Sequence, residues 1–118
     1  MKIYISGPMS DLPLFNFPAF DSAAAKLRSL GHEVFNPADK DREKYGDDFL
    51  TDNTSGNLQE ATAKGFNLGD ALAEDCRWIC KEAEAIYMLH GWEGSSGARM
   101  EHTLARCMRL KFFYEDSI

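Results

Sequence analysis

The first third of the chain reads as strand, helix, strand, and that order constrains the fold more than any other feature. Lys2-Ile3-Tyr4-Ile5-Ser6 is a short β-branched and aromatic run ending at Gly7-Pro8, the pattern of a buried strand that meets a turn. Pro18 stands where the first residue of a helix would. Phe20, Ala23, Ala24, Leu27 and Leu30 then recur at helical spacing, and Gly31 supplies a stop. Glu33-Val34-Phe35-Asn36 makes a second strand, closed by Pro37. Two strands joined by a helix begin a parallel α/β sheet, whose crossovers are almost always right-handed.

From Ala38 to Gly69 the periodicity weakens. Asp39 to Lys44 is a solvated charge run and Tyr45 to Gly56 is polar with scattered aromatics, so residues 39–69 read as an irregular insertion or a lid over a site. A helix resumes near Asp70, with Leu72, Cys76, Ile79, Cys80 and Ala83 on its inner face. Ala85 to Leu89 is a third strand, His90 to Ser96 a loop, and the next helix turns Met100, Leu104, Cys107 and Met108 inward. Lys111 to Tyr114 is a fourth strand. At 118 residues the chain suits one domain, residues 1–118, around a parallel sheet of four to five strands.

Thirteen basic against nineteen acidic residues leave a net charge of -6, which argues against duplex nucleic acid as a partner. A small phosphorylated metabolite is still admissible, because one local pocket binds it whatever the global charge. The 44% hydrophobic and 27% charged fractions suit a soluble chain. No apolar run approaches the ~20 residues of a membrane span, and the N-terminus makes a poor signal peptide. A cytoplasmic location is expected. Cys76, Cys80 and Cys107 cannot all pair within one chain and form no CxxC motif, so free thiols in helix cores are expected in preference to a metal. The absence of GxGxxG after the first strand, and of GxxxxGK[ST] anywhere, removes support for dinucleotide binding and P-loop hydrolysis. The acidic cluster of a phospho-receiver is missing too.

Ligands of open parallel sheets bind beyond the carboxyl ends of the strands. Here those ends are Ser6-Gly7-Pro8-Met9, Asn36-Pro37 and the loop His90 to Gly97. The third feeds a Gly/Ser-rich turn into a helix, so free amides and the helix dipole offer an anion site. Ser95 reads as a ligand for it; Ser96 reads equally as a ligand or a helix cap. Glu101 borders the apolar stripe early in that helix, and Ala98 rules out a capping box. It reads either as a functional carboxylate or as an ordinary surface glutamate. Asp75 borders the preceding helix's stripe in the same way, and two converging carboxylates invite glycoside chemistry. Tyr4 could orient a carboxylate or simply pack in the core. Asn16 reads as a helix cap, Asn36 as a turn residue, and Trp92 as either a base-stacking ring or a cover for the core edge. His90 could serve as an acid or base but has no nameable partner. His32 and His102 read as surface positions.

The runs Lys2 to Met9, Asn16-Phe17-Pro18-Ala19-Phe20, Asn36-Pro37-Ala38 and Gly91 to Ala98 with Glu101 closely resemble a small family of unassigned function. It is common in bacteria and their phages and is grouped with the nucleoside 2-deoxyribosyltransferase-like proteins, relatives of the 2′-deoxynucleoside 5′-monophosphate N-hydrolases. The likeness covers most of the chain outside residues 39–67. It implies a flavodoxin-like three-layer α/β sandwich. It also implies that Glu101 attacks C1′ of the sugar to give a glycosyl-enzyme, that Asp75 handles the proton on the leaving base, and that Tyr4 orients the nucleophile. Ser95 with the Gly97 and Ala98 amides would hold a 5′-phosphate, and Ser6, Gly7, Pro8, Met9, Asn16, Asn36, Trp92 and Ser96 would complete the substrate site. Arg99 stands where the hydrolases often have a second glycine, and Pro8-Met9 replaces their Gly-rich first loop. The resemblance requires no metal or organic cofactor and implies a homodimer or larger homo-oligomer. The expected function is therefore N-glycosidic cleavage or deoxyribosyl transfer on a (deoxy)nucleoside or its 5′-monophosphate. Two other classes fit the same residues: a non-catalytic nucleotide-binding or sensing protein, for which Glu101 is dispensable, and a phage-type interaction protein with a relic site.

Overall fold

The computed structural model describes residues 1–46 and 55–117. In chain order these form β1 (Lys2–Ser6), α1 (Phe17–Ser29), β2 (Glu33–Phe35), α2 (Pro37–Tyr45), α3 (Leu58–Ala63), α4 (Leu68–Lys81), β3 (Ala85–Met88), α5 (Ser96–Cys107) and β4 (Lys111–Tyr114), with short 3-10 turns at Pro13–Asn16 and Trp92–Gly94. The sheet order is β2-β1-β3-β4 and every pairing is parallel. Four strands lie at the lower end of the expected four to five. This is a flavodoxin-like three-layer arrangement. No helix among the described residues is long and apolar enough to cross a membrane.

The period-two alternation of the strands sorts side chains between two cores. Ile3, Ile5, Ala85 and Tyr87 pack with Phe17, Phe20, Ala24 and Leu27 of α1, joined by Ala38 of α2 and Ala61 of α3. Tyr4, Ile86 and Met88 face the other way, onto Ile79 of α4 and Ala98 and Ala105 of α5. Strand order reverses between β1 and β3, where Ser6 pairs with Met88. That is the switch point at which such sheets bind ligands. Gly7 follows at once, and a Cβ there would lie 2.7 Å from Leu89 Cβ, so only glycine lets the chain turn across β3's end.

Several expectations change. Pro37 does not close the second strand; it opens α2, with the Asn36 side chain accepting from the Ala38 amide as its cap. The charge run is therefore helical and largely paired, and α3 and the start of α4 also fall within residues 39–69. The lid reading of residues 47–54 lies outside the described residues. Asn16 precedes α1 but does not cap it. It sits in the left-handed region at φ 59, its carboxamide oxygen makes no cap bond, and its nitrogen donates to the Pro8 carbonyl. The inner face of α5 is Ala98, Glu101 and Ala105, while Met100, Cys107 and Met108 are exposed. Cys80 is exposed and Cys76 half-buried, so none of the three thiols is a core residue. His102 is half-buried and stacks on Trp92 at 4.3 Å between ring centroids.

Candidate active site

Tyr4 and Ser6 are two apart on β1 and point to the same face, the one α5 covers. Both hydroxyls reach one carboxylate. Tyr4 Oη donates to Glu101 Oε2 at 2.7 Å, and Ser6 Oγ donates to Oε1 at 2.6 Å. Both distances are those of well-formed O–H···O hydrogen bonds. Ala98 and Ala105, three before and four after Glu101, keep that helix face slim enough to lie close against the sheet. Glu101 is thus the centre of the buried face rather than its border, and it is only 6% exposed.

Its carboxyl opens into a cavity of about 370 Å³ beyond the strand ends. Burial pushes its pKa up to about 7, against the two hydroxyl donors, which favour the charged form. Asp75, on α4 one turn before buried Ile79, lines the same cavity. Burial first, then the charges of Glu101 and Asp41, push it up to about 8. Tyr4 lies between the two carboxyls and is itself held well above its ordinary value by burial and by both of them. Two hydroxyl donors favour the charged form at Glu101, and neighbouring negative charges oppose it at Asp75. Two desolvated carboxyls around one cavity, one of them fixed by two hydroxyl donors, are the parts that nucleophilic displacement with proton donation requires.

Two loops frame the opening. Residues 8–11 and Phe15 form one wall, and the 3-10 turn behind them holds Leu14, Phe15 and Asn16 at φ between 52 and 59. Three successive non-glycine residues in the left-handed region are costly. Burial of Phe15, the Asn16 to Pro8 bond and an Asp11 amide bond to the Gly56 carbonyl hold them there. Residues 94–98 form the other wall. Here Ser95 is the cap, its hydroxyl accepting from the Ala98 amide at 3.2 Å. The Ala98 amide is thus occupied. The Ser96 and Gly97 amides, as the first of the helix, have no intrahelical partner and are left for an anion. A Cβ at Gly97 would meet nothing within 4 Å, so the space beside it is open.

The structure gathers Tyr4, Gly7, Pro8, Met9, Asp75, Ser95, Ser96, Gly97, Ala98 and Glu101 around one cavity. Ser6 lies beneath it, spent on Glu101. Asn16 braces the first loop from behind. Asn36 is buried, and besides its cap bond it donates to Asp21 Oδ1. Trp92 points elsewhere, into a separate hollow with Met88, His102 and Tyr114, and covers the core edge. His90 is exposed and pairs with Asp116 at 2.9 Å, which raises its pKa. Sequence reading missed Asp41, Phe15, Phe66 and Leu72, which also line the cavity. Asn36-Pro37 was the available signal for Asp41, since a cap followed by proline starts a helix and would have placed Asp41 one turn in.

A family model described as domain of unknown function (DUF4406) matches residues 1–114, and the chain belongs to that family. Comparison with curated proteins and with solved structures returns no match.

Proposed function

Taking membership of a family whose description names no activity as the premise, we propose that the chain cleaves the N-glycosidic bond of a (deoxy)nucleoside or its 5′-monophosphate, or transfers the sugar to another base. The observation that carries this reading is Glu101, a buried carboxylate fixed by two hydroxyls at the floor of a cavity at the switch point. A Glu101 oxygen attacks C1′, the C1′–N bond breaks, and its electron pair leaves with the base nitrogen, which takes the proton from Asp75. The Asp75 carboxylate then removes a proton from water, whose oxygen attacks C1′ and frees Glu101. A second base in place of water gives transfer. The open amides of Ser96 and Gly97 suit a 5′-phosphate, and the cavity volume is within the range of small-molecule sites. A cytoplasmic location and a homodimer or larger homo-oligomer belong to the same reading; sedimentation tests the latter.

The test is incubation with ribo- and deoxynucleosides and their 5′-monophosphates, with free base measured by chromatography. We expect release from at least one, reduced roughly 10³-fold or more in Glu101→Gln. Release that survives that substitution rejects the mechanism. Binding without release from any substrate would make the protein a nucleotide binder instead.

A further inference from the structure

The mechanism uses two carboxyls, and the cavity holds a third. Asp41 projects from α2 into the same hollow as Asp75 and Glu101. Of the six charged residues 39–44, five are paired: Asp39 with Arg28 and Arg42, Lys40 with Glu43, and Lys44 with Asp70. Arg42 also binds Asp21. Asp41 alone has no hydrogen-bond or ion-pair partner among the described residues, although Arg42 and Lys44 stand beside it on the helix. A half-buried carboxyl left out of a run so thoroughly paired is available to something that enters the cavity.

What surrounds it indicates the shape of that visitor. Tyr45, one turn further along the same face, packs its ring against Phe66 at 5.3 Å. Phe66, Phe15 and Leu72 line the cavity. Apolar and aromatic walls beside a carboxyl suit a flat heteroaromatic ring that carries a hydrogen-bond donor at its edge. In the sheet order β2-β1-β3, α2 follows β2 and α5 follows β3, so Asp41 and the Ser96 and Gly97 amides flank β1's end from opposite sides. A nucleotide whose sugar lies over Glu101 would reach both.

We infer that Asp41 reads the leaving base, accepting a hydrogen bond from an exocyclic amino group, so that amino-bearing bases are preferred over their oxo counterparts. This rests on the glycosidase reading of the site for its geometry but not for its measurement. The chemistry is selective when Asp41 is ionised. A carboxylate accepts from the amino group and is repelled by a carbonyl oxygen. A carboxylic acid, with one donor and one acceptor, pairs with either kind of base edge, so the preference belongs to the carboxylate. Burial and Glu74 push Asp41 up to about 7 against Lys44 and Arg42, so the selective form prevails above that pH.

Matched nucleosides that differ only in amino against oxo substitution test this: adenosine against inosine, and cytidine against uridine. Their binding to Glu101→Gln protein is measured by calorimetry above about pH 7, where Asp41 is ionised, with Asp41 native or changed to Asn, whose amide offers both a donor and an acceptor. We expect the amino member of each pair to bind roughly 10-fold or more tightly with Asp41, and the pairs to draw within about 3-fold in Asp41→Asn at unchanged melting temperature. Equal binding within pairs, a preference that survives Asp41→Asn, or no binding of any nucleoside overturns the inference. An Asp41-dependent preference with no base release from the native protein upholds it and rejects the glycosidase reading.

Discussion

At the scale of single residues, the site sets two opposed titrations that leave measurable marks. In the proposed mechanism Glu101 attacks only as a carboxylate, and its pKa is pushed up to about 7, so base release should rise with pH through about 7. Asp75 must carry a proton and is pushed up to about 8, so release should fall above that. A bell-shaped rate profile with a narrow top is expected, its limbs belonging to the coupled pair. Tyr4→Phe removes a donor that favours the charged form of Glu101. The rising limb should then move to higher pH as the rate drops, whereas a merely structural loss would lower the rate without moving the limb. The same carboxyl bears on stability. Its folded pKa lies above the ordinary 4.5, so between about 4.5 and 7 the folded state keeps a proton that the unfolded chain releases, and stability falls as pH rises through that window. Glu101→Gln should therefore be more stable than the native protein above pH 7, on the order of 1 to 3 kcal/mol in urea titrations. The gap should close below about pH 4.5.

At the scale of elements, α2 depends on the residue that caps it. Asn36 is 2% exposed and spends its side chain on the Ala38 amide and Asp21. Asn36→Ala loses the cap and leaves a buried amide short of its partner, for an expected cost of about 1–2 kcal/mol by denaturant unfolding. Gly97 works the other way. Nothing in the protein occupies its Cβ position, so Gly97→Ala should preserve or raise the melting temperature while weakening phosphate-bearing ligands, read by calorimetry with and without the 5′-phosphate. Strands, α1 and the loop before α5 were legible in the sequence, because apolar runs bounded by Gly and Pro leave few alternatives. The second helix was not, because Pro after Asn ends a strand as readily as it begins a helix. The stripe of α5 was misplaced for a different reason. Met100, Cys107 and Met108 are apolar by type, but the sheet side of the helix needs small residues and carries the buried Glu101, so hydrophobic periodicity pointed to the wrong face. Glu101 and Asp75 were legible as candidates from their position near apolar stripes. That both Tyr4 and Ser6 hydroxyls hold Glu101 was not, since it depends on how closely α5 lies on β1.

At the scale of the molecule, two cores share one sheet. Phe20 packs on the α1 side and Ile79 on the α4–α5 side, both 1% exposed or less. Because β1 and β3 contribute to both, neither half should melt alone. Phe20→Ala and Ile79→Ala are each expected to cost about 3 kcal/mol or more. Indole fluorescence should report one transition that coincides with far-UV circular dichroism, although Trp78 and Trp92 both lie on the side opposite Phe20. Separate transitions would show that the sheet does not couple its faces. The Tyr4 and Ser6 bonds to Glu101 span 97 and 95 residues of chain. A ribosome that has made β1, α1 and even β3 has produced both hydroxyls but not the carboxylate they hold, and a nascent chain that ends before Glu101 lacks the proposed nucleophile. The proposed chemistry can begin only once α5 has been synthesised and has docked, which makes its onset a clock for that docking.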